Sequence, residues 1–249
     1  MTLQNDPGAC AWPRFLPCGD AALTVELGAG AGRRSSARVV RLHRALRETP
    51  LPGVTETFPA FRSLLVQYDP LQTSPAELRG ALEGMLDAMS DAPLPSRRWL
   101  VPVCYEAEAG MDIAEVAALA GLTQAQVVEC HSSESYYVYM VGFLPGYGYM
   151  GDVPEPLRLP RRHDPRIRVP KGSVAIATSF TAVYPLESPG GWHIIGRTPA
   201  TLFDPHARDA VLLAPGDLVR FKPVSPGEFD ALARLPRGGA VLQAEAAAA

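Results

Sequence analysis

The chain is 249 residues long, 47% hydrophobic and 20% charged, with a formal net charge of −3. That length suits one large domain or two modest ones, and that composition excludes a wholly disordered chain. The small negative charge gives no global argument for binding nucleic acid or an anionic membrane surface.

The four cysteines, Cys10, Cys18, Cys104 and Cys130, form no C-x-x-C pair, so neither a zinc site nor a disulfide framework is expected. The start, MTLQNDPGACAWPRF, lacks the basic and apolar regions of a signal peptide, and no apolar run approaches the ~18 residues that span a bilayer. A cytoplasmic protein with reduced thiols is expected, holding no metal. The first 15 or so residues and the Ala-rich end read as fraying tails.

In chain order, Ala22–Leu27 has strand composition. Ser36–Glu48 is a helix with Val39, Leu42 and Leu46 on one stripe and Arg38, Arg41, Arg44 and Arg47, with Arg34 just before it, on a solvated face. Thr55–Phe58 and Ser63–Tyr68 read as strands around Pro59. A second helix opens with Ser74 as N-cap, Pro75 at its first position and Glu77 completing a capping box. Trp99–Val103 follows as a strand, after a linker over Asp91–Ser96. This strand-helix-strand-strand-helix-strand order matches the split β-α-β arrangement of ferredoxin-like domains.

Two short helices are expected next, Ile113–Ala120 and Thr123–Glu129, the latter with a Thr123/Gln126 capping box. Their spacing imitates a helix-turn-helix, but no Lys or Arg lies between Arg98 and Arg158, so no phosphate neutralisation is on offer. The same window carries eight acidic residues, and six basic ones then crowd into Arg158–Lys171. From Tyr136 onward, short strands separated by Gly and Pro predict an antiparallel barrel or sandwich: Tyr136–Val141, Arg168–Val169, Ser173–Ala177, Ala182–Tyr184, Trp192–Ile195, Ala200–Phe203 and Asp217–Phe221. The expected division is an N-terminal α+β domain over 1–95, a β-barrel domain over 96–236 and a flexible tail over 237–249.

Three Gly/Pro-rich segments combine turn residues with chemistry-bearing side chains. In Gly142–Gly151, Phe143, Pro145, Tyr147 and Tyr149 line a pocket or pack a barrel corner. In Pro160–Ser173, Arg166, Arg168 and Lys171 among prolines suit carboxylate or phosphate recognition, and equally suit a solvated face or contact with the acidic window. Lys171-Gly172-Ser173 lacks the spacing of a P-loop. In Ser188–Pro205, Trp192, His193, Arg197 and Asp204 fall on a loop-strand-loop unit, with His193 a candidate acid/base and Arg197 and Asp204 alternatively a pair pinning two turns. Histidine spacing gives no metal set, and no Walker, G-x-S-x-G or H-E-x-x-H motif occurs.

The run from Gly142 to Pro205, with SPGGW-x-IIGRTP, PR-x-R-VP-x-GSV and F-x-PG-x-x-Y, resembles the family of the B subunit of the bacterial ATP-dependent 5-oxoprolinase complex. That family also covers allophanate hydrolase subunit 1 and Kip-type inhibitors of a sporulation histidine kinase. The resemblance extends from about Phe15 to about Lys222 and implies an N-terminal α+β domain followed by a cyclophilin-like β-barrel. It further implies a non-autonomous subunit that works with A-like and C-like partners, using ATP with Mg2+ to open 5-oxo-L-proline to L-glutamate. Within that activity, Arg166, Arg168, Lys171, Gly172, Ser173 and Arg197 are the expected substrate or phosphate contacts. His193 and Asp204 are the expected catalytic pair, and Phe143, Pro145, Tyr147, Tyr149 and Trp192 the expected lining. A non-catalytic kinase inhibitor, or a hydrolase subunit for another cyclic amide or urea derivative, stands as the alternative.

Overall fold

The computed structural model describes residues 12–243 apart from 31, 91 and 93. Cys10, most of the expected N-terminal tail, two positions of the expected linker and the last six alanine-rich residues lie outside the described residues. The chain forms two compact units, Met1–Leu94 and Pro95–Ala249.

The first unit contains β1 (Arg14–Pro17), β2 (Ala22–Glu26), α1 (Arg33–Glu48), β3 (Val54–Pro59), β4 (Ser63–Tyr68) and α2 (Pro75–Asp87). Its four strands lie in the order β1-β2-β4-β3, each antiparallel to its neighbour. Strand alternation sends Leu23, Val25, Leu64 and Val66 to one face, where Val39, Leu42 and Leu46 of α1 and Leu78, Leu82 and Leu86 of α2 cover them. Ser74 and Glu77 form the expected capping box. One expectation fails here. Arg14 and Phe15, expected within a fraying tail, belong to β1, which pairs with β2. The edge beside β2 is therefore filled from the N-terminal side, and Trp99–Val103 is not a strand of this sheet.

The second unit starts with β5 (Arg98–Val103), followed by α3 (Ile113–Ala120) and α4 (Gln124–Ser132). Strands β6 (Tyr136–Val141), β7 (Gly148–Gly151), β8 (Arg166–Val169), β9 (Ser173–Ala177), β10 (Phe180–Val183), β11 (Ser188–Gly190), β12 (His193–Arg197) and β13 (Leu218–Pro223) follow, then α5 (Pro226–Leu232) and β14 (Val241–Gln243). Eight strands form one sheet in the order β12-β9-β10-β7-β6-β13-β5-β14, while β8 and β11 make a separate ribbon. Of these pairings β13–β5 is parallel. Just past β5, Cys104 and Arg197 exchange two backbone hydrogen bonds of 2.8 Å, which bring β5 against β12 and nearly close a seven-stranded barrel. Val241–Gln243, expected in the flexible tail, pairs with β5 instead. Ala200–Phe203 is not a strand; only an isolated bridge joins Phe203 to Val211.

Alternation along the barrel strands separates two apolar clusters. Val101, Val103, Val138, Met150, Val174, Ile176, Val183, Ile195 and Phe221 fill one, together with Val116 of α3 and Val127 of α4. On the opposite face of β9 and β10, Ala175, Ala177 and Ala182 are small enough to seat Tyr147, Tyr184 and Trp192 above them. Between the two short helices, Gly121 stops α3 in the left-handed conformation, φ 67°, a geometry that favours glycine. Among the described residues no helix is long and apolar enough to cross a membrane.

His131 of α4 is fully buried, with Nδ1 2.8 Å from the Tyr105 hydroxyl, Nε2 2.9 Å from Thr181 Oγ1, and its ring stacked on Phe221. Burial holds its pKa down to about 3, from an ordinary 6.5. The unfolded chain takes up this proton near 6.5 and the folded chain only near 3, so its stabilisation is complete above 6.5 and declines as pH falls. Urea midpoints should show, for the parent chain, a loss steeper by about 1.4 kcal/mol per pH unit below pH 6 than for His131→Gln. Parallel pH profiles would contradict this role.

Candidate functional site

The acidic window and the basic cluster meet at Asp112, the residue that precedes α3. Its side chain is only 4% exposed and turns away from the helix amides. Arg166 grips it with both ends of the guanidinium, Nη1 at 2.9 Å from Oδ2 and Nη2 at 2.5 Å from Oδ1. Arg162 Nη1 adds a 3.2 Å bond to Oδ1, and the Ile194 amide donates to Oδ2 at 2.7 Å. The Asp112 amide in turn donates to the Ile194 carbonyl at 2.8 Å. Arg162 also reaches Glu115 of α3 at 2.5 Å. A buried carboxylate is tolerated when charge-assisted bonds replace its hydration, and these four supply that replacement.

The chain around 160–162 is laced to the start of β12. The Arg162 amide donates to the Gly191 carbonyl at 2.8 Å. His193 Nε2 donates to the Pro160 carbonyl at 3.0 Å, since a carbonyl oxygen can only accept. Two buried nitrogens on this lacing, His193 Nδ1 and Arg162 Nε, have no hydrogen-bond partner among the described residues. His193 thus has one ring nitrogen oriented by a backbone carbonyl and the other left as an open acceptor, an arrangement suited to receiving a proton.

The remaining nominated residues are dispersed. Arg168 is exposed and pairs with Glu187, its Nε 2.9 Å from Oε1. Lys171 is exposed and its carbonyl accepts from Arg197 Nε at 3.2 Å. The Gly172 amide is spent on the Tyr184 carbonyl at 2.7 Å and the Ser173 amide on the Pro170 carbonyl at 3.2 Å. A Cβ on Gly172, which sits at φ +83°, would come within 2.5 Å of the Thr198 carbonyl, so the glycine serves a tight turn. Asp204 is exposed and accepts from the His206 amide at 2.9 Å; among the described residues no hydrogen bond joins it to His193.

The aromatic residues do assemble. Tyr147 is buried, with the rings of Phe143, Tyr149, Tyr184 and Trp192 set edge-on around it at centroid distances of 5.1–5.9 Å. Burial first, and then the neighbouring Tyr184 and Tyr149 hydroxyls, push the Tyr147 phenol far above its ordinary range, so it stays a neutral donor. Phe143 is 62% exposed and carries a left-handed backbone, φ 71°, a strained conformation that turns its ring to the surface. Pro145 beside it is also exposed.

Sequence reasoning missed Asp112 as the anchor, although it lies in the base-free window whose contrast with the basic cluster signalled such a contact. It also missed a cleft of about 750 Å3 lined by Cys104, Glu106, Glu108, Met111, Arg197 and Phe229, among others.

Residues 13–213 match the family model described as carboxyltransferase domain, subdomain C and D. The chain is 41% identical over 210 residues to a protein of Escherichia coli O157:H7 named as the B subunit of 5-oxoprolinase, covering 84% of this chain and 95% of that one. A Bacillus subtilis (strain 168) protein of the same name is 36% identical over 224 residues, covering 86% and 93%. The crystal structure of TTHA0988 superposes with a TM-score of 0.73 at 36% identity, over 82% of this chain and 40% of that chain.

Replacing Asp112 by Asn leaves the Ile194 amide an acceptor but removes the negative charge that pairs with two arginines, each about a quarter exposed. Asp112→Asn should therefore cost about 3 kcal/mol of unfolding free energy, read from urea denaturation. A change below about 0.5 kcal/mol, the size of an ordinary surface substitution, would contradict the anchoring role.

Proposed function

The chain belongs to the family of 5-oxoprolinase B subunits, built on carboxyltransferase subdomains C and D, and from that membership we propose that it is the B subunit of an ATP-dependent 5-oxoprolinase. The near full-length match at 41% identity carries this reading. The reaction opens the lactam of 5-oxo-L-proline by water to give L-glutamate, with A-like and C-like subunits as partners, in the cytoplasm. The finer fold assignment belongs to the same reading: a ferredoxin-like α+β unit with one edge strand supplied from the N-terminal side, then a cyclophilin-like barrel. The antiparallel four-stranded sheet under two helices and the nearly closed seven-stranded barrel support it.

Among the described residues, the turn and the arginine expected to contact phosphate do not fit a nucleotide site. The Gly172 and Ser173 amides are spent within the turn, and the paired guanidinium of Arg166 is already neutralised. Among the described residues no cluster of His, Cys, Asp or Glu is placed to hold a metal ion. ATP with Mg2+ is therefore assigned to a partner subunit, and the phosphate-binding role first considered for Arg166 becomes one of holding Asp112. His193 is the residue here best placed for proton transfer, because Nδ1 has no partner among the described residues while Nε2–H is oriented by Pro160. Asp204, exposed at a turn, is proposed only as an outer positioning residue. Arg168, Lys171 and Arg197 provide the remaining cationic contacts on this unit.

The test is ATP-dependent glutamate release by this chain, by A-like and C-like partner subunits, and by the mixture of all three. Release should require the full mixture. Equal turnover when this chain is omitted, or full activity from this chain alone, would overturn the reading.

A further inference from the structure

The cleft of about 750 Å3 lies where the barrel closes, between the segment after β5, the end of β12 and α5. Its volume falls in the range of small-molecule sites, about 300–1,000 Å3. Closure itself builds one wall. A Cβ on Gly196 would come within 2.7 Å of Val103 Cγ1 and 2.9 Å of the Cys104 carbonyl, so only glycine lets β12 approach β5 this closely. The two Cys104–Arg197 backbone bonds then fix the Arg197 main chain, and its Nε is held by the Lys171 carbonyl at 3.2 Å. Both terminal nitrogens of that guanidinium are left without a partner among the described residues, a fork matched to a carboxylate.

Facing this one cation are Glu106, Glu108 and Asp230, none of which makes an ion pair among the described residues. One positive and three negative side chains give the lining a net negative charge, which repels a simple anion and favours a ligand bearing a cationic nitrogen. Met111, Pro226 and Phe229 supply the apolar remainder. A carboxylate, a positively charged nitrogen close by and a short apolar body together describe a zwitterionic α-amino acid.

We propose that this cleft is an α-amino acid site, in which Arg197 takes the carboxylate and Glu106, Glu108 and Asp230 surround the ammonium. The class of ligand follows from the cleft alone. Choosing L-glutamate among amino acids rests on the proposed function, in which it is the product, and not on the lining, which offers its second carboxylate no cation. 5-Oxo-L-proline has the carboxylate but an uncharged lactam nitrogen, so the cleft separates ammonium-bearing product from lactam substrate.

Isothermal titration calorimetry of the full chain with L-proline, L-glutamate and 5-oxo-L-proline tests this. Proline and 5-oxoproline share a ring and differ in the charge on nitrogen. L-Proline and L-glutamate should each bind at least about tenfold more tightly than 5-oxoproline, the scale of one charge-assisted contact. Arg197→Gln and the triple variant Glu106→Gln/Glu108→Gln/Asp230→Asn should each weaken amino acid binding by about tenfold or more, at an unchanged thermal midpoint. The triple variant keeps the test decisive if Arg197→Gln fails to fold. Binding of neither amino acid, equal binding of 5-oxoproline, or affinities untouched by both variants would overturn the proposal. If L-proline binds as described and L-glutamate does not, the amino acid class stands and the choice of product falls. Reconstituted turnover that depends on this chain would in every case leave the proposed function standing.

Discussion

A buried carboxylate is the constraint on which the second unit is organised. Moving a charged group out of water costs several kcal/mol unless its hydration is replaced bond for bond. Asp112 meets that demand with two bonds from Arg166, one from Arg162 and one from the Ile194 amide. Each partner comes from a different part of the chain: the segment before β8, β8 itself, and β12. Satisfying one side chain therefore joins the α3 region to the basic segment and to the barrel wall. The Arg162 amide and the His193 ring extend the same tie by binding the 160–162 and 191–193 stretches together.

This arrangement reassigns charge that looks available in the sequence. Of the cationic residues between Arg158 and Lys171, Arg158 donates to the Val153 carbonyl, Arg162 and Arg166 are committed to carboxylates of the helical insertion, and Arg168 pairs with Glu187. What the anchoring leaves open among the described residues is chemically different: His193 Nδ1 on a fixed ring, and an Arg197 fork at the point where the barrel closes. Closure and anchoring both act through β12, since Ile194 binds Asp112 and Arg197 binds Cys104. Positions on one short strand thus serve the core, the anchor, the candidate base and the cleft.

Much of this was legible where local physics decides. Apolar spacing located α1, and the Ser74/Glu77 and Thr123/Gln126 boxes marked the helix starts because capping is set by residues three apart. Strands β4, β6 and β9 stand at the expected residues, being apolar runs bounded by turn residues. Long-range pairing was not legible. Arg14–Pro17 carries little strand signal, yet β2 recruits it, and Trp99–Val103 joins a distant partner because β13 pairs with it in parallel. Nor was α5 expected, although Ser225 and Glu228 form the same kind of capping box as α2 and α4. For the site, residue types were right more often than their pairings. Asp204 and His193 are neighbours in sequence logic but share no bond among the described residues, while Asp112 finds its partners some fifty and eighty residues away.

The central claim is that Asp112 and Arg166 act as one unit rather than as two independent polar residues. A double-mutant cycle in urea, using Asp112→Asn, Arg166→Gln and the pair, measures that directly. The account predicts a coupling of about 1–3 kcal/mol, as found for side chains sharing one ion-pair network. Costs that add to within about 0.5 kcal/mol, as for distant independent sites, would contradict it.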